Sequence, residues 1–142
     1  MKIIEGYETW SELDLLAGVI IGEARGESVS GKTGVALTVK TRADHPRWWG
    51  RNFREVILCP FQFSCWGDIN AKAIKEAYDH KGQAWKDALR IAEDVYTGNT
   101  VDFVGMPTHY HAANVNPWWS EKLKRLAKIG NHVFYRDTKE IP

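Results

Sequence analysis

Leu13, Leu16, Ala17 and Ile20 recur at helical spacing, and Ser11 with Asp14 three residues on reads as a capping-box variant. This pattern predicts a helix over 11–23. A turn through 26–31 leads to a second helix over 33–42, with Val35, Ala36 and Val39 as its inward face. A loop containing Pro46 and Gly50 follows, then a short apolar stretch at 55–58 that Pro60 ends. Helical patterns at 70–78 and 83–96 come next. The latter carries Trp85, Ala88, Leu89, Ala92 and Val95 at helical spacing, and Gly98-Asn99 stops it. Beyond residue 101 the character changes. Short β-prone pieces at 102–104, 108–111 and 132–135 surround a last predicted helix at 120–128. Helices dominate early and strands are late and short, so the expected class is α+β, predominantly helical.

One charge breaks the first apolar pattern. Seven residues return a helix to within about 20° of its starting direction, so Glu23 projects beneath Leu16 and beside Ile20. A carboxyl group held against apolar neighbours resists ionising and can donate a proton near neutral pH. The alternative is a helix that frays after Ile21, because Gly22 and Gly26 flank the site, leaving Glu23 solvated. Glu27, four residues on, is a possible second carboxylate on the same face. Gly26 interrupts the helix there and Arg25 offers an ion-pair partner, so a structural role for Glu27 competes.

Composition narrows the classes. At 142 residues the chain suits one domain spanning 1–142, and 44% hydrophobic content argues against disorder. A net charge of +1 gives no global pull toward nucleic acid or membrane. No apolar run is long enough for a transmembrane span. The first eight residues lack the apolar region of a secretory signal, so cytoplasmic synthesis is expected, with no stable membrane insertion. Cys59 and Cys65 could close a short loop in an oxidising medium; in a reducing one, two free thiols are expected. His109, His111 and His132 have the residue types of a metal site. No Asp, Glu or Cys joins them at ligand spacing, so no metal or other cofactor is expected. Seven Trp residues are unusual, and Trp48-Trp49, Trp66 and Trp118-Trp119 fall in loops, where indoles suit sugar stacking or core anchoring.

Six collinear segments carry a resemblance. Gly22-Glu23-Ala24-Arg25-Gly26-Glu27 is followed by Val35-Ala36, then Gln62-Phe63-Ser64-Cys65-Trp66 and Thr108-His109-Tyr110-His111. Pro117-Trp118-Trp119 and Ile129-Gly130-Asn131-His132-Val133-Phe134-Tyr135 complete the series. In that order and spacing, from about 13 to 136, the chain resembles the catalytic domain of the spore cortex-lytic enzyme and cell-wall hydrolase family. Thr41-Arg42 stands where such proteins usually carry Asn-Arg. The resemblance implies a lysozyme-like fold and cleavage of peptidoglycan glycan strands, with Glu23 as the catalytic acid. It also implies the lytic transglycosylase outcome, a 1,6-anhydro end.

Supporting roles follow as expectations. Gln62 and Ser64 could bond the N-acetyl or leaving-group oxygens, or stabilise a turn. Tyr110 alternates with His109 and His111, so it faces the other way in a strand, and the cleft is the expected side. Trp118 is expected at a sugar-stacking rim, with His111, His132 and Tyr135 as further substrate contacts or packed core groups. The partner is the glycan strand, not nucleic acid, and a monomer is expected. A lysin of phage type, released onto the wall, and a domain trimmed from a longer exported protein both fit. Competing activities are a two-carboxylate muramidase, an amidase or peptidase acting on peptide stems, and a non-enzymatic wall-binding module.

Overall fold

A central helix organises the architecture. In the computed structural model, which describes residues 6–60 and 62–142, α1 spans Glu12–Ala24 and is buried on nearly every face from Leu15 to Gly22. The Ser11 hydroxyl caps it, accepting from the Asp14 N–H at 3.1 Å. The one-sided stripe read from the sequence thus understates the burial. Around α1 pack α2 (Val29–Asp44), α3 (Phe53–Leu58), α4 (Ala71–His80) and α5 (Gln83–Tyr96). Helix α1 continues through Ala24, so Glu23 lies in its last turn and the frayed alternative does not occur.

Two glycines let α1 be approached this closely. A Cβ on Gly18 would lie 2.6 Å from the Trp66 ring, and one on Gly22 would lie 2.6 Å from Cys65 Cβ. The 3₁₀ turn Ser64–Trp66 therefore rests directly on the helix, beside Glu23. Trp49 and Trp66 are core residues at 0% and 4% exposure, whereas Trp48 and Trp118 stand out at 56% and 76%. Trp48, Trp118 and the half-buried Trp119 all line the cavity beside Glu23 described below. Cys59 and Cys65 are separate free thiols.

Helix α2 starts four residues earlier than its sequence pattern predicts, because the Ser28 hydroxyl accepts from the Gly31 N–H at 3.2 Å and caps it. At its far end the buried Trp49 indole donates to the carbonyls of Arg42 and His45. These satisfy orphan acceptors of the last turn.

The late part of the chain forms an antiparallel sheet in the order β1-β3-β2, with β1 at His109–Ala112, β2 at Lys124–Ile129 and β3 at His132–Arg136. Tyr110 pairs with Phe134 and His111 with Val133. Two expectations fail here. The predicted helix at 120–128 is instead a 3₁₀ turn, Trp118–Lys122, followed by β2. The Lys, Arg, Leu and Ala of that stretch favour helix locally, but pairing with the buried strand β3 overrides the propensity. The predicted strand at 102–104 is a turn. The Asp102 carboxylate accepts from the backbone N–H groups of Val104, Gly105 and Met106 at 2.7–2.9 Å.

The sheet docks on the helices most closely at one glycine. A Cβ on Gly34 of α2 would lie 2.6 Å from the Phe134 ring, so only glycine admits that ring. Tyr110, His132 and Phe134 share this inner face, as their ring contacts of 5.3–6.1 Å attest. His109, His111 and Tyr135 lie on the outer face under Trp119. Trp119 therefore anchors the sheet, not a terminal helix. Among the described residues, no helix is long and apolar enough to cross a membrane. The sequence reading about a leader falls mainly on residues 1–5, outside the described residues.

Candidate active site

Glu23 stands where two cavities meet. One, of about 570 Å³, is lined by Glu23, Arg42, Gln62, Tyr110 and the exposed rings of Trp48 and Trp118. The other, of about 600 Å³, is lined by Glu23, Glu27, Asn70, Tyr110, His111 and His132. Glu23 and Tyr110 are common to both. A linear ligand running from one cavity to the other passes over this pair.

The Tyr110 hydroxyl donates to Glu23 Oε1 at 2.6 Å. Alternation along β1, and the docking of Phe134 against Gly34, aim the phenol at the last turn of α1. Burial raises the Glu23 pKa above the usual carboxylate value, partly opposed by the Tyr110 hydrogen bond; the nearby Asp68 charge raises it further. Burial and the Glu23 charge in turn keep Tyr110 a neutral phenol, with its pKa raised well above the usual value. The arrangement is a protonatable carboxyl held on Oε1 by the Tyr110 hydroxyl, with the buried Cys65 thiol also within hydrogen-bonding reach; it lines both cavities, where it can exchange a proton with a ligand.

Glu27 is engaged elsewhere. Its Oε1 accepts from the Asn131 backbone N–H at 2.8 Å, its Oε2 from the Asn131 side chain at 3.3 Å, and His132 Nδ1 is 3.5 Å from Oε1. The carboxylate thus clamps the tight β2–β3 turn, where Gly130 has a positive φ of 56°. The Asn131 backbone bond, ahead of the His132 charge, lowers its pKa. A lowered folded pKa gives stability that is present above the unfolded value of about 4.3 and lost as pH falls through the folded one. Glu27→Gln, which keeps one acceptor oxygen, is expected to lose at pH 7 up to the roughly 1.5–3 kcal/mol of a hydrogen bond to a charged group. Thermal unfolding of both proteins at pH 7 and pH 3 checks this; the gap should close at the lower pH.

The remaining candidates separate. Gln62, Tyr110 and Trp118 line the first cavity; His111, His132 and Tyr110 line the second. Ser64 lines neither, and its hydroxyl donates to Asp68 at 3.2 Å. Tyr135 lines neither and bonds His111 Nε2 at 2.9 Å behind the sheet, while His111 Nδ1 donates to the Ala112 carbonyl. The histidines serve three different sets of neighbours: His109 the Thr108 hydroxyl, His111 this outer-face network, and His132 Glu27 and the Tyr110 ring.

Several site residues had been assigned no role. Arg42, at the end of α2, lines the first cavity although the residue as a whole is only 4% exposed. Its Nε donates to the Thr108 carbonyl at 2.8 Å and its Nη1 to Gln62 Oε1 at 3.2 Å, which fixes strand, loop and helix together. Desolvation lowers its pKa to about 10. Burial, followed by the Arg42 charge, lowers His109 to about 4 and keeps that ring neutral. Asp68 accepts from Ser64 and from the Asn70 N–H at 2.7 Å, close enough to act on Glu23 but lining neither cavity.

Comparisons with known proteins bear on the fold and the family. The catalytic domain of the germination-specific lytic transglycosylase SleB from Bacillus anthracis is similar over 94% of this chain and 100% of that one, with a TM-score of 0.66 and 24% identity. The catalytic domain of the Bacillus cereus SleB protein is similar over 88% and 89%, with a TM-score of 0.63 and 24% identity. At that identity what is shared is the fold. No curated protein matches the chain by sequence. The model of the Cell Wall Hydrolase family matches residues 26–135, most of the chain, beginning just after Glu23. With that match over more than half of its length, the chain belongs to the cell wall hydrolase family.

Proposed function

We propose that the protein is a single-domain enzyme that cuts peptidoglycan glycan strands between N-acetylmuramic acid and N-acetylglucosamine, as a lytic transglycosylase. The observation that carries this reading is one protonatable carboxyl, Glu23, at the junction of two cavities. Protonated Glu23 gives its proton to the departing glucosamine O4 as positive charge develops at the muramic C1. The carboxylate left behind then takes the proton of the muramic C6 hydroxyl, whose oxygen bonds to C1. The strand breaks without consuming water, and the acid is restored.

The competing route, a hydrolase with two carboxylates, needs a second one facing the substrate. Glu27 lines the second cavity but is held by the β-turn it clamps, Asp68 lines neither cavity, and Asp137 in the first cavity accepts from the Lys139 N–H, which favours the single-acid route. The setting proposed with it is lysis of phage type, in which the enzyme reaches the wall after release.

Mass spectrometry of glycan fragments from digested peptidoglycan tests the reading. Anhydro-muramic ends, lighter by one water than reducing ends, are the expected product. Reducing ends throughout would make it a muramidase, and free stem peptides with intact strands would make it an amidase or peptidase.

A further inference from the structure

The cavity on one side of Glu23 contains a cation without an anion. Both protein partners of the Arg42 guanidinium, the Thr108 carbonyl and the Gln62 amide oxygen, are neutral. The rings of Trp49, Trp48 and Phe63 surround it at 5.3, 5.6 and 5.9 Å from the guanidinium carbon. Among the described residues no carboxylate forms an ion pair with it. Among the described residues Nη2 has no hydrogen-bond partner, yet it is not one of the buried polar atoms left unsatisfied. It therefore opens into the cavity that Arg42 lines.

A structural crosslink alone does not require this chemistry. A neutral glutamine could bond two neutral oxygens, whereas burying a permanent cation without an anion is expensive. That desolvation is visible in the lowered Arg42 pKa of about 10. A ligand anion entering the cavity would restore what the guanidinium has lost, and a planar fork suits a carboxylate. Lys122 and Lys139 line the same cavity, and its carboxyls are Glu23 and Asp137. One Asp137 oxygen already accepts from the Lys139 backbone N–H at 3.0 Å. His109 adds no charge. With Glu23 protonated, as the acid step needs, three cations face one carboxylate.

We propose that Arg42, with Lys122 and Lys139 at the rim, forms a carboxylate-binding subsite for the acidic arm on C3 of the muramoyl residue. The carboxylate is that of the lactyl ether itself or of the stem peptide joined to it. The proposal rests on the glycan-cleaving reading above and adds a selection: strands bearing these charges are preferred over neutral ones.

The test uses soluble glycan strands in four preparations. Strands with intact stems present stem carboxylates, and strands stripped of stems by an amidase present lactyl carboxylates. Each is also capped as its neutral amide by carbodiimide coupling. For the wild-type protein, capping is expected to lower kcat/KM about 10- to 100-fold, mainly through KM, as loss of a charge-assisted bond does. The pair in which the drop occurs identifies the source of the carboxylate. In Arg42→Gln the charged-to-capped ratio should shrink to within about threefold, and Arg42→Lys should recover part of it. Equal wild-type rates on capped and uncapped strands in both pairs would overturn the proposal, and this arm needs no variant to fold. An unchanged ratio in a folded Arg42→Gln protein would also overturn it, leaving Arg42 a crosslink. No cleavage in any of the four preparations would instead overturn the glycan-cleaving assignment, and this proposal with it.

Discussion

Glycan cleavage by Glu23→Gln falls at least about 10³-fold, because one carboxyl serves as acid and then as base and each role is worth about 10²–10⁴-fold. The same variant gains stability in one pH range only. Burial raises the folded pKa of Glu23 above its unfolded value. The favourable contribution is therefore complete below the unfolded value, near 4.3, and is lost as pH rises through the folded one. Glutamine cannot ionise, yet its amide oxygen can still accept from Tyr110. Glu23→Gln should unfold at the same temperature as wild type at pH 4. At pH 8 it should unfold about 2–4 °C higher for each ~1 kcal/mol of relieved burial. Turnover assays and thermal unfolding at both pH values check this. A variant that still clears walls at near wild-type rate would remove Glu23 from the mechanism.

Such a gain in stability on losing function is expected where a fold holds a titratable group against its solvation preference. The site contains two such groups of opposite sign. Glu23 terminates the central helix α1, and Arg42 nearly terminates α2; the first cavity lies between them. The cycle proposed above starts from a neutral Glu23 and a charged Arg42.

Both groups left the same mark on the sequence. Glu23 was legible because it falls seven residues after Leu16 on an apolar stripe. Arg42 falls seven after Val35 and three after Val39 on another, and the same argument applied there would have found it. Tyr110 was legible only as one of two faces, since alternation says that Tyr110 and His111 differ but not which side is core. Asp68 carried no periodic signal; it sits in an irregular loop between the Ser64–Trp66 turn and α4, and only the packing of that turn on Gly22 brings it near Glu23.

Among the elements, α5 was read at its observed bounds because its stripe is long and Gly98 stops it. Strand β2 was missed because Lys124-Arg125-Leu126-Ala127-Lys128 satisfies a helix locally. The clue that outweighs it is Gly130-Asn131, a two-residue hairpin turn beside the buried strand His132–Arg136. The burial of Trp49 and Trp66 has no local signature at all. Each is fixed by a distant partner, the end of α2 for the first and the glycine face of α1 for the second.

Tyr110→Phe separates positioning from mere packing. The ring keeps its neighbours Phe134 and His132, so the fold should hold. What is lost is the 2.6 Å hydrogen bond to Glu23 Oε1, which orients the carboxyl and favours its ionised form. A hydrogen bond to a charged group contributes about 1.5–3 kcal/mol, so kcat should fall about 10- to 100-fold. The pH profile should move as well. Activity needs Glu23 protonated at the start, so in wild type the rate declines as pH rises through its raised pKa. Without the phenol the carboxylate loses a donor while burial remains, so its pKa rises further. The alkaline limb of kcat/KM should then shift to higher pH as the rate itself drops. Initial rates on soluble glycan strands across pH 5–9, about the range that brackets a raised carboxyl, measure both effects. A lower rate with an unmoved limb would mean that Tyr110 supports the sheet without acting on the acid. A limb displaced to lower pH would mean that Tyr110 serves Glu23 by desolvating it more than by donating to it.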